Sequence, residues 1–202
     1  MDRVVILTGA RRVGKSTVCS KAAALARRRG YVCGGILTVA DQGVRHVLDL
    51  RTGQRRCLTV TSGREDVVAQ GRFRFSRETL SWGNEALRRS VPCDLLVIDE
   101  VGPLEVERGQ GWVAAFDVLG AGDYGLALLV VRPELLTQVG DILAVSSRQI
   151  VPVTERNRDD LPVSLAAMAA DVAQTTGRQS VRSGSPSDPA PPVGPSGEAP
   201  RN

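Results

Sequence analysis

Between residues 9 and 17 the chain reads Gly9-Ala10-Arg11-Arg12-Val13-Gly14-Lys15-Ser16-Thr17, the pattern Gly-x4-Gly-Lys-Ser. Glycine at both ends lets backbone N–H groups turn inward around a phosphate, and a helix starting at Ser16 would point its positive N-terminus at the same place. In such a loop Lys15 reaches the β- and γ-phosphates of a nucleotide and assists their transfer, while the Ser16 hydroxyl holds Mg2+. Ala10, Arg11, Arg12, Val13 and Thr17 complete the cradle. The chain has only two lysines, Lys15 and Lys21, against twenty-four arginines. That one of the two falls on the required position argues against a glycine-rich turn without a ligand.

A phosphate site of this kind needs an acid at the end of a second buried strand. The stretch Asp-Leu-Leu-Val-Ile-Asp-Glu, residues 94–100, supplies it. Ligands of open α/β sheets lie beyond the carboxyl ends of the strands, which puts Asp99 on the edge where the loop sits. Asp99 is expected to serve Mg2+ through a water, and Glu100 to act as the general base for an attacking water. Taken alone, an acidic pair after a strand equally ends the strand or caps a helix; the loop gives it a catalytic meaning.

Arg11 and Arg12 stand where small residues are commoner. A left-handed backbone at Arg12 would cost about 1–2 kcal/mol, an amount nucleotide binding can offset. A guanidinium at the mouth either stabilises the transferring phosphate or holds the bound nucleotide equally in ground and transition state. The second role is expected for Arg12.

The elements that position these residues alternate. "RVVILT" reads as a buried strand, followed by a helix over Ser16–Arg29 that ends in three arginines and Gly30. Arginines suit the negative end of a helix, and glycine suits a left-handed cap. Residues 32–60 read as a meander of short strands, "GILTVA", "VRHVLDL" and "QRRCLTV", around the turns "DQG" and "RTG". A helix is expected near Ser76–Arg89, the strand "DLLVI" next, and a helix near Gly109–Leu119 with Trp112, Ala115, Phe116 and Leu119 on one face. Strands "LALLVV" and "RQIVPV" follow, then a helix over Leu161–Thr175 opened by Asp160 and Pro162. Strands alternating with helices predict an α/β fold with a mainly parallel sheet and helices on both faces. The last twenty-five residues, 178–202, hold six of eleven prolines and no Leu, Ile or aromatic side chain, so a folded domain over 1–177 and a disordered tail are expected.

Composition excludes other chemistries. His46 is the only histidine, so no histidine metal site or Ser-His-Asp triad can be assembled. Cys19, Cys33, Cys57 and Cys93 form no Cys-x-x-Cys pair, which speaks against zinc and against a disulfide framework and points to a reducing, cytoplasmic setting. No apolar run approaches the length of a membrane span. The net charge is +4, and the arginines are interleaved with acids. Arginine richness therefore reads first as the codon usage of a GC-rich genome. No [NT]KxD segment that would read guanine is present, so loose base preference is expected.

Together the N-terminal loop, "GGILTV…GVRHVLDLRTG", "GRFRF", "VIDEVGPLEV" and "VTERNRDDLP" resemble, in order, the cancer-related nucleoside-triphosphatase family, small stand-alone P-loop enzymes. The match spans about residues 3–165, and "DEVGPLE" is its most specific piece. The resemblance implies a three-layer P-loop NTPase fold with a β-meander insertion near 32–60. It also implies slow, Mg2+-dependent hydrolysis of several nucleoside triphosphates. Glu105 matches the last acid of the family motif, where it would support the site or cap a helix. Asn157 and Arg158 match an Asn-Arg-Asp segment that serves the site or forms a turn. Arg132 replaces a commoner histidine after "LALLVV"; it would either sense the γ-phosphate or simply end the strand.

Three rival functions stand beside hydrolysis. A nucleotide-dependent switch would bind with little turnover. A nucleic-acid-stimulated ATPase would use "GRFRFSR", with Phe73 and Phe75 stacking on bases and Arg72, Arg74 and Arg77 on phosphates; an amphipathic strand with a buried aromatic face is favoured over it. A small-molecule kinase would carry an arginine-rich lid after the second acid motif, and none is identifiable there.

Overall fold

The computed structural model describes residues 3–60, 66–143 and 148–175; the segment 178–202 lies outside them. The first strand, β1 (Arg3–Thr8), is apolar on both faces, with Val4 and Ile6 turned one way and Val5 and Leu7 the other. Such a strand can lie only inside a sheet covered on both sides. The chain then forms helix α1 (Lys15–Arg28), whose end follows the expected pattern. Gly30 takes φ +86°, and Gly30 and Tyr31 donate their N–H groups back to Arg27 and Ala26. Arg27 and Arg28 occupy the last turn, next to the carbonyl end of the helix.

The meander follows as β2 (Cys33–Asp41), β3 (Val44–Asp49) and β4 (Arg55–Cys57). It is continuous with the main sheet. The first half of β2 pairs in parallel with β7 (Cys93–Val101), from Cys33 against Leu95 to Ile36 against Ile98, and β3 and β4 extend the edge antiparallel. With β8 (Tyr124–Val131) and β9 (Arg148–Pro152) the seven-stranded order is β4-β3-β2-β7-β8-β1-β9. The five strands from β2 to β9 run parallel. One strand, β8, therefore separates the strand that feeds the glycine loop from the strand that carries the acidic pair.

Helices α1 and α6 (Leu161–Thr175) cover one face, burying Val18, Ala22, Ala26, Leu165 and Ala169 against Val5, Leu7, Leu95 and Leu128. The other face is covered by α2 (Arg77–Arg88), capped by the Ser76 hydroxyl, and by α4 (Ala114–Ala121). Leu80, Leu87, Trp112 and Leu119 pack there on Ile6, Leu96, Ile98 and Leu129. The result is a three-layer α/β fold. Among the described residues no helix is long and apolar enough to cross a membrane, and all four cysteines are free.

Some elements differ from the sequence reading. A hairpin, β5 (Val67–Gln70) and β6 (Phe73–Ser76), precedes α2 and forms a sheet of its own. Phe73 and Phe75 share one face of β6 with ring centroids 6.1 Å apart; Phe75 is only 4 % exposed, so its ring belongs to the core. A short helix α3 (Pro103–Val106) and a helix α5 (Leu136–Ile142) occupy stretches to which the sequence reading assigned no element. The helix expected from Gly109 begins only at Ala114, because Gly111 takes φ +74° and the Trp112 N–H is bound by a side chain instead of entering a helical turn.

Candidate active site

The carboxyl ends of β1, β7 and β8 meet at one rim, and the glycine loop closes it. Gly9 adopts φ +140°, and a Cβ there would lie 2.5 Å from the Val153 carbonyl oxygen, so no other residue fits. Arg12 takes the left-handed conformation expected of its position, φ 62°, and its side chain is exposed. Gly14 caps α1 with no side-chain hydrogen bond. The first-turn N–H groups of the helix thus keep their donor capacity toward the loop. Lys15 folds over the loop and donates to the Gly9 and Ala10 carbonyls at 2.8 and 2.9 Å.

From Ser16 the hydroxyl reaches across the rim and donates to Asp99 Oδ1 at 3.0 Å. The other Asp99 oxygen accepts the Thr38 N–H at 3.1 Å, and the Thr38 hydroxyl donates to the Asp99 carbonyl at 2.8 Å. Asp99 is 1 % exposed. Burial raises its pKa to about 6, a rise moderated by the Ser16 and Thr38 hydrogen bonds, increased by the Glu100 charge and opposed by Lys15. Glu100 turns the other way, into the cleft, and accepts from Arg132 Nε at 2.7 Å. Arg132 is the first residue after β8, so the order of the sheet sets it between the loop and the acidic pair.

These residues line a cleft of about 800 Å³. Gly9, Ala10, Arg11, Arg12, Lys15 and Ser16 form one end, and Asp99, Glu100 and Arg132 form the middle. Arg45, Arg108 and the segment Ala69–Phe73 form the far end. Val13, Gly14 and Thr17 belong to the loop but do not face the cleft.

Glu105 is not part of the cleft wall. Its two oxygens accept the N–H groups of Gly102 and Trp112, each at 2.8 Å, which ties α3 to the turn before α4. Burial pushes its pKa up to about 7, against the pull of those N–H groups and with a contribution from the Glu100 charge. Of the two roles open to it in the sequence, the geometry assigns that of a cap and tie. Asn157 closes the turn after β9, accepting from Thr154 N–H and donating to the Pro152 carbonyl. Arg158 lies against the glycine loop, with Nη1 3.4 Å from the Val13 carbonyl.

Sequence reasoning overlooked Arg45, Arg108 and Thr38. A signal for Arg45 existed: it shares a face of β3 with Val47, a buried residue two positions on, so an arginine stands on the inward side of a strand. Phe73 and Arg72, which the less favoured nucleic-acid reading would use, line this cleft, with the Arg45 and Arg72 guanidinium carbons 4.2 and 5.1 Å from the Phe73 ring centroid.

The loop, the acidic strand end and the three-layer sheet define a P-loop nucleoside triphosphatase. Residues 4–166 match the family model described as NTPase, and the chain belongs to that family of nucleoside-triphosphate-hydrolysing enzymes. It is 34 % identical over 169 residues to the nucleoside-triphosphatase THEP1 of Methanosarcina barkeri, covering 80 % of this chain and 94 % of that one. Over 103 residues it is 39 % identical to the THEP1 of Pyrobaculum aerophilum, covering 49 % and 57 %. The fold is similar to the crystal structure of THEP1 from Aquifex aeolicus, with a TM-score of 0.60, 15 % identity and coverage of 82 % and 98 %. It is equally similar to the solution structure of a human cancer-related nucleoside triphosphatase, with a TM-score of 0.60, 24 % identity and coverage of 89 % and 99 %.

Proposed function

We propose that this enzyme hydrolyses nucleoside 5'-triphosphates to the diphosphate and phosphate in a Mg2+-dependent reaction with loose base specificity, in the cytoplasm. The observation that carries the reading is the hydrogen bond from Ser16 to Asp99. It joins the phosphate loop to the acidic strand through two oxygen ligands, the donor chemistry that Mg2+ selects. Ser16 and Asp99 would hold the ion, which when bound neutralises charge on the β- and γ-oxygens. Few protein ligands suffice, since Mg2+ keeps several waters and shares the phosphates.

The chain's own groups do the rest. Lys15 exchanges its two carbonyl partners for phosphate oxygens. Glu100, half-buried at the γ-end of the cleft, accepts a proton from the attacking water. The new P–O bond forms as the bond to the β–γ bridging oxygen breaks, and the diphosphate leaves. Arg132 orients Glu100 and carries positive charge into the region where the γ-phosphate gains negative charge. The absence of a guanine-reading segment from the sequence supports broad base acceptance. One observation favours a second reading: with Glu100 engaged by Arg132, turnover without a partner is slow and the chain acts as a nucleotide-dependent switch.

Phosphate release with Mg2+ and each of ATP, GTP, CTP and UTP, on the wild type and Glu100→Gln, tests the assignment. A positioned general base contributes about 10²–10⁴ in rate, and the variant is expected to lose that much kcat on all four nucleotides. Equal rates in both proteins would remove Glu100 from the mechanism. Tight binding with no release in either would establish the switch.

A further inference from the structure

The cleft lining extends past the glycine loop and the acidic pair to Arg45, the segment Ala69–Phe73 and Arg108, and this part has a chemistry of its own. Ser16 and Asp99 fix the metal side of the triphosphate toward β7, so the γ-phosphate lies near Glu100. The nucleoside then points the opposite way, toward β9, where Arg158 rests on Val13 and Gly14; no residue from 154 to 158 lines the cleft. The space beyond Glu100 is therefore left to something other than the nucleotide. Its walls are Arg45, Arg72, Phe73, Arg108 and the apolar pair Pro103 and Leu104.

Two of the three arginines there have no hydrogen-bond acceptor among the described residues. Arg108 donates to the Ala69 carbonyl, whereas Arg45 and Arg72 only rest on the Phe73 ring. Arg45 is half-buried, and it also lines the small cavity behind the cleft together with Glu100 and Arg132. The carboxylates closest to Arg45 are already engaged, Glu100 by Arg132, Asp99 by Ser16 and Thr38, and Glu105 by the Gly102 and Trp112 N–H groups. The half-buried Arg45 guanidinium without an acceptor is costly, and the exposed Arg72 beside the same Phe73 ring adds a second guanidinium that an anion bound there can reach. A carboxylate offers two oxygens and satisfies one guanidinium fork. A phosphomonoester offers three and can meet two.

We propose that Arg45 and Arg72 form a second anion subsite, on the far side of Glu100 from Lys15, that binds the phosphomonoester group of a small co-ligand while the triphosphate occupies the loop. The proposal rests on the nucleotide reading above, since that reading sets which end of the cleft is occupied by the substrate. A co-ligand held there stands on the side from which water attacks the γ-phosphate. It therefore governs hydrolysis by binding alongside the nucleotide and not in competition with it.

The probe is inorganic phosphate, titrated by calorimetry into the full chain saturated with Mg2+ and AMP-PNP, so that the loop is already filled. Saturable binding is expected in the wild type. Losing one charged hydrogen-bonding partner should weaken it about 10- to 100-fold in Arg45→Gln and in Arg72→Gln. AMP-PNP affinity should stay within about twofold in both, since neither residue touches the loop. Arg72 lies on an exposed turn, so its variant decides the matter even if Arg45→Gln folds poorly, and Arg45→Lys should keep most of the binding. The proposal falls if phosphate does not bind, if it binds equally to both Gln variants, or if binding is lost in Arg12→Gln and kept in Arg45→Gln. Failure of AMP-PNP to bind the wild type would instead refute the nucleotide reading. The same titration on nucleotide-free Lys15→Ala protein would then still decide the subsite.

Discussion

Replacing Glu105 by glutamine should make the stability gap to the wild type depend on pH, closing it as pH rises. Glu105 is 8 % exposed and its two oxygens accept the Gly102 and Trp112 N–H groups. Glutamine keeps one acceptor oxygen and turns an NH2 group toward the other buried N–H, which costs about 1–3 kcal/mol. That is the deficit expected at pH 5, where the wild-type carboxyl is protonated. Burial raises the Glu105 pKa from 4.5 to about 7. The native state therefore holds this proton more tightly than the unfolded chain does. The associated stability is fully present below pH 4.5 and is lost as pH rises through 7. At about 1.36 kcal/mol per pKa unit, the loss comes to about 3 kcal/mol. Glutamine does not titrate, so by pH 8 the variant should equal or exceed the wild type. Urea unfolding of both proteins at pH 5, 6, 7 and 8 reads the gap directly, and other titrating groups cancel in the difference. A gap that stays constant with pH would refute the burial argument. A kcat that falls in the folded variant, with no change in unfolding midpoint, would refute the structural assignment and return Glu105 to the chemistry.

Two further outcomes follow from the same geometry. Asp99 must be deprotonated to hold a cation, and burial raises its pKa to about 6. The Mg2+ concentration that half-activates phosphate release should therefore rise about tenfold for each pH unit below 6, and a requirement unchanged between pH 5 and 7 would contradict it. Arg12, exposed at the mouth of the loop, should act through uniform binding: Arg12→Ala is expected to raise KM for the nucleotide and leave kcat unchanged. A fall in kcat at saturating nucleotide with KM unchanged would mean that its guanidinium acts in the transition state.

The elements legible in the sequence are those whose signals are local. The strand at Arg3–Thr8, the helix from Lys15 and its glycine cap each follow from a few adjacent residues, and the structure has them within a residue of their expected bounds. The pairing of Ser16 with Asp99 was also within reach, because sheet topology constrains which strand ends meet. Of the β5–β6 hairpin only β6 was, as the amphipathic strand with a buried aromatic face favoured at "GRFRFSR"; its pairing with β5 was not. The two strands are four residues each, and their stability comes from Phe75 entering the core and from pairing with each other. Helix α3 is four residues long and is held by Glu105 closing on Gly102. The stripe that includes Trp112 promised a helix starting too early, because Glu105 takes the Trp112 N–H from seven residues away. Arg45 shows the same limit. Its inward face is readable in β3, but its place beside Glu100 depends on β2 pairing with β7, which no local pattern states.

The sheet order also explains why the site needs the side chains it has. Neighbouring strands lie about 4.8 Å apart, so with β8 between them the ends of β1 and β7 are separated by roughly 10 Å. A carboxylate directly beside the loop strand would crowd the phosphates. At this separation Ser16, leaning inward from the first turn of α1, and Asp99, at the end of β7, meet at 3.0 Å. That hydrogen bond has the span of two oxygens that can share a cation, so on the proposed reading the Ser16 hydroxyl would need only to turn its hydrogen away from Asp99 for both oxygens to face the ion. The intervening strand must end in something that fits above the gap. Arg132 does so, and it holds Glu100 to one side, where on the proposed reading that carboxylate would not compete with Asp99 for the ion. The glycine loop alone would bind a phosphate. The extra strand sets Asp99 against Ser16 and, to one side of them, the Glu100–Arg132 ion pair, so that on the proposed reading the metal ligand stays separate from the paired base and positive charge.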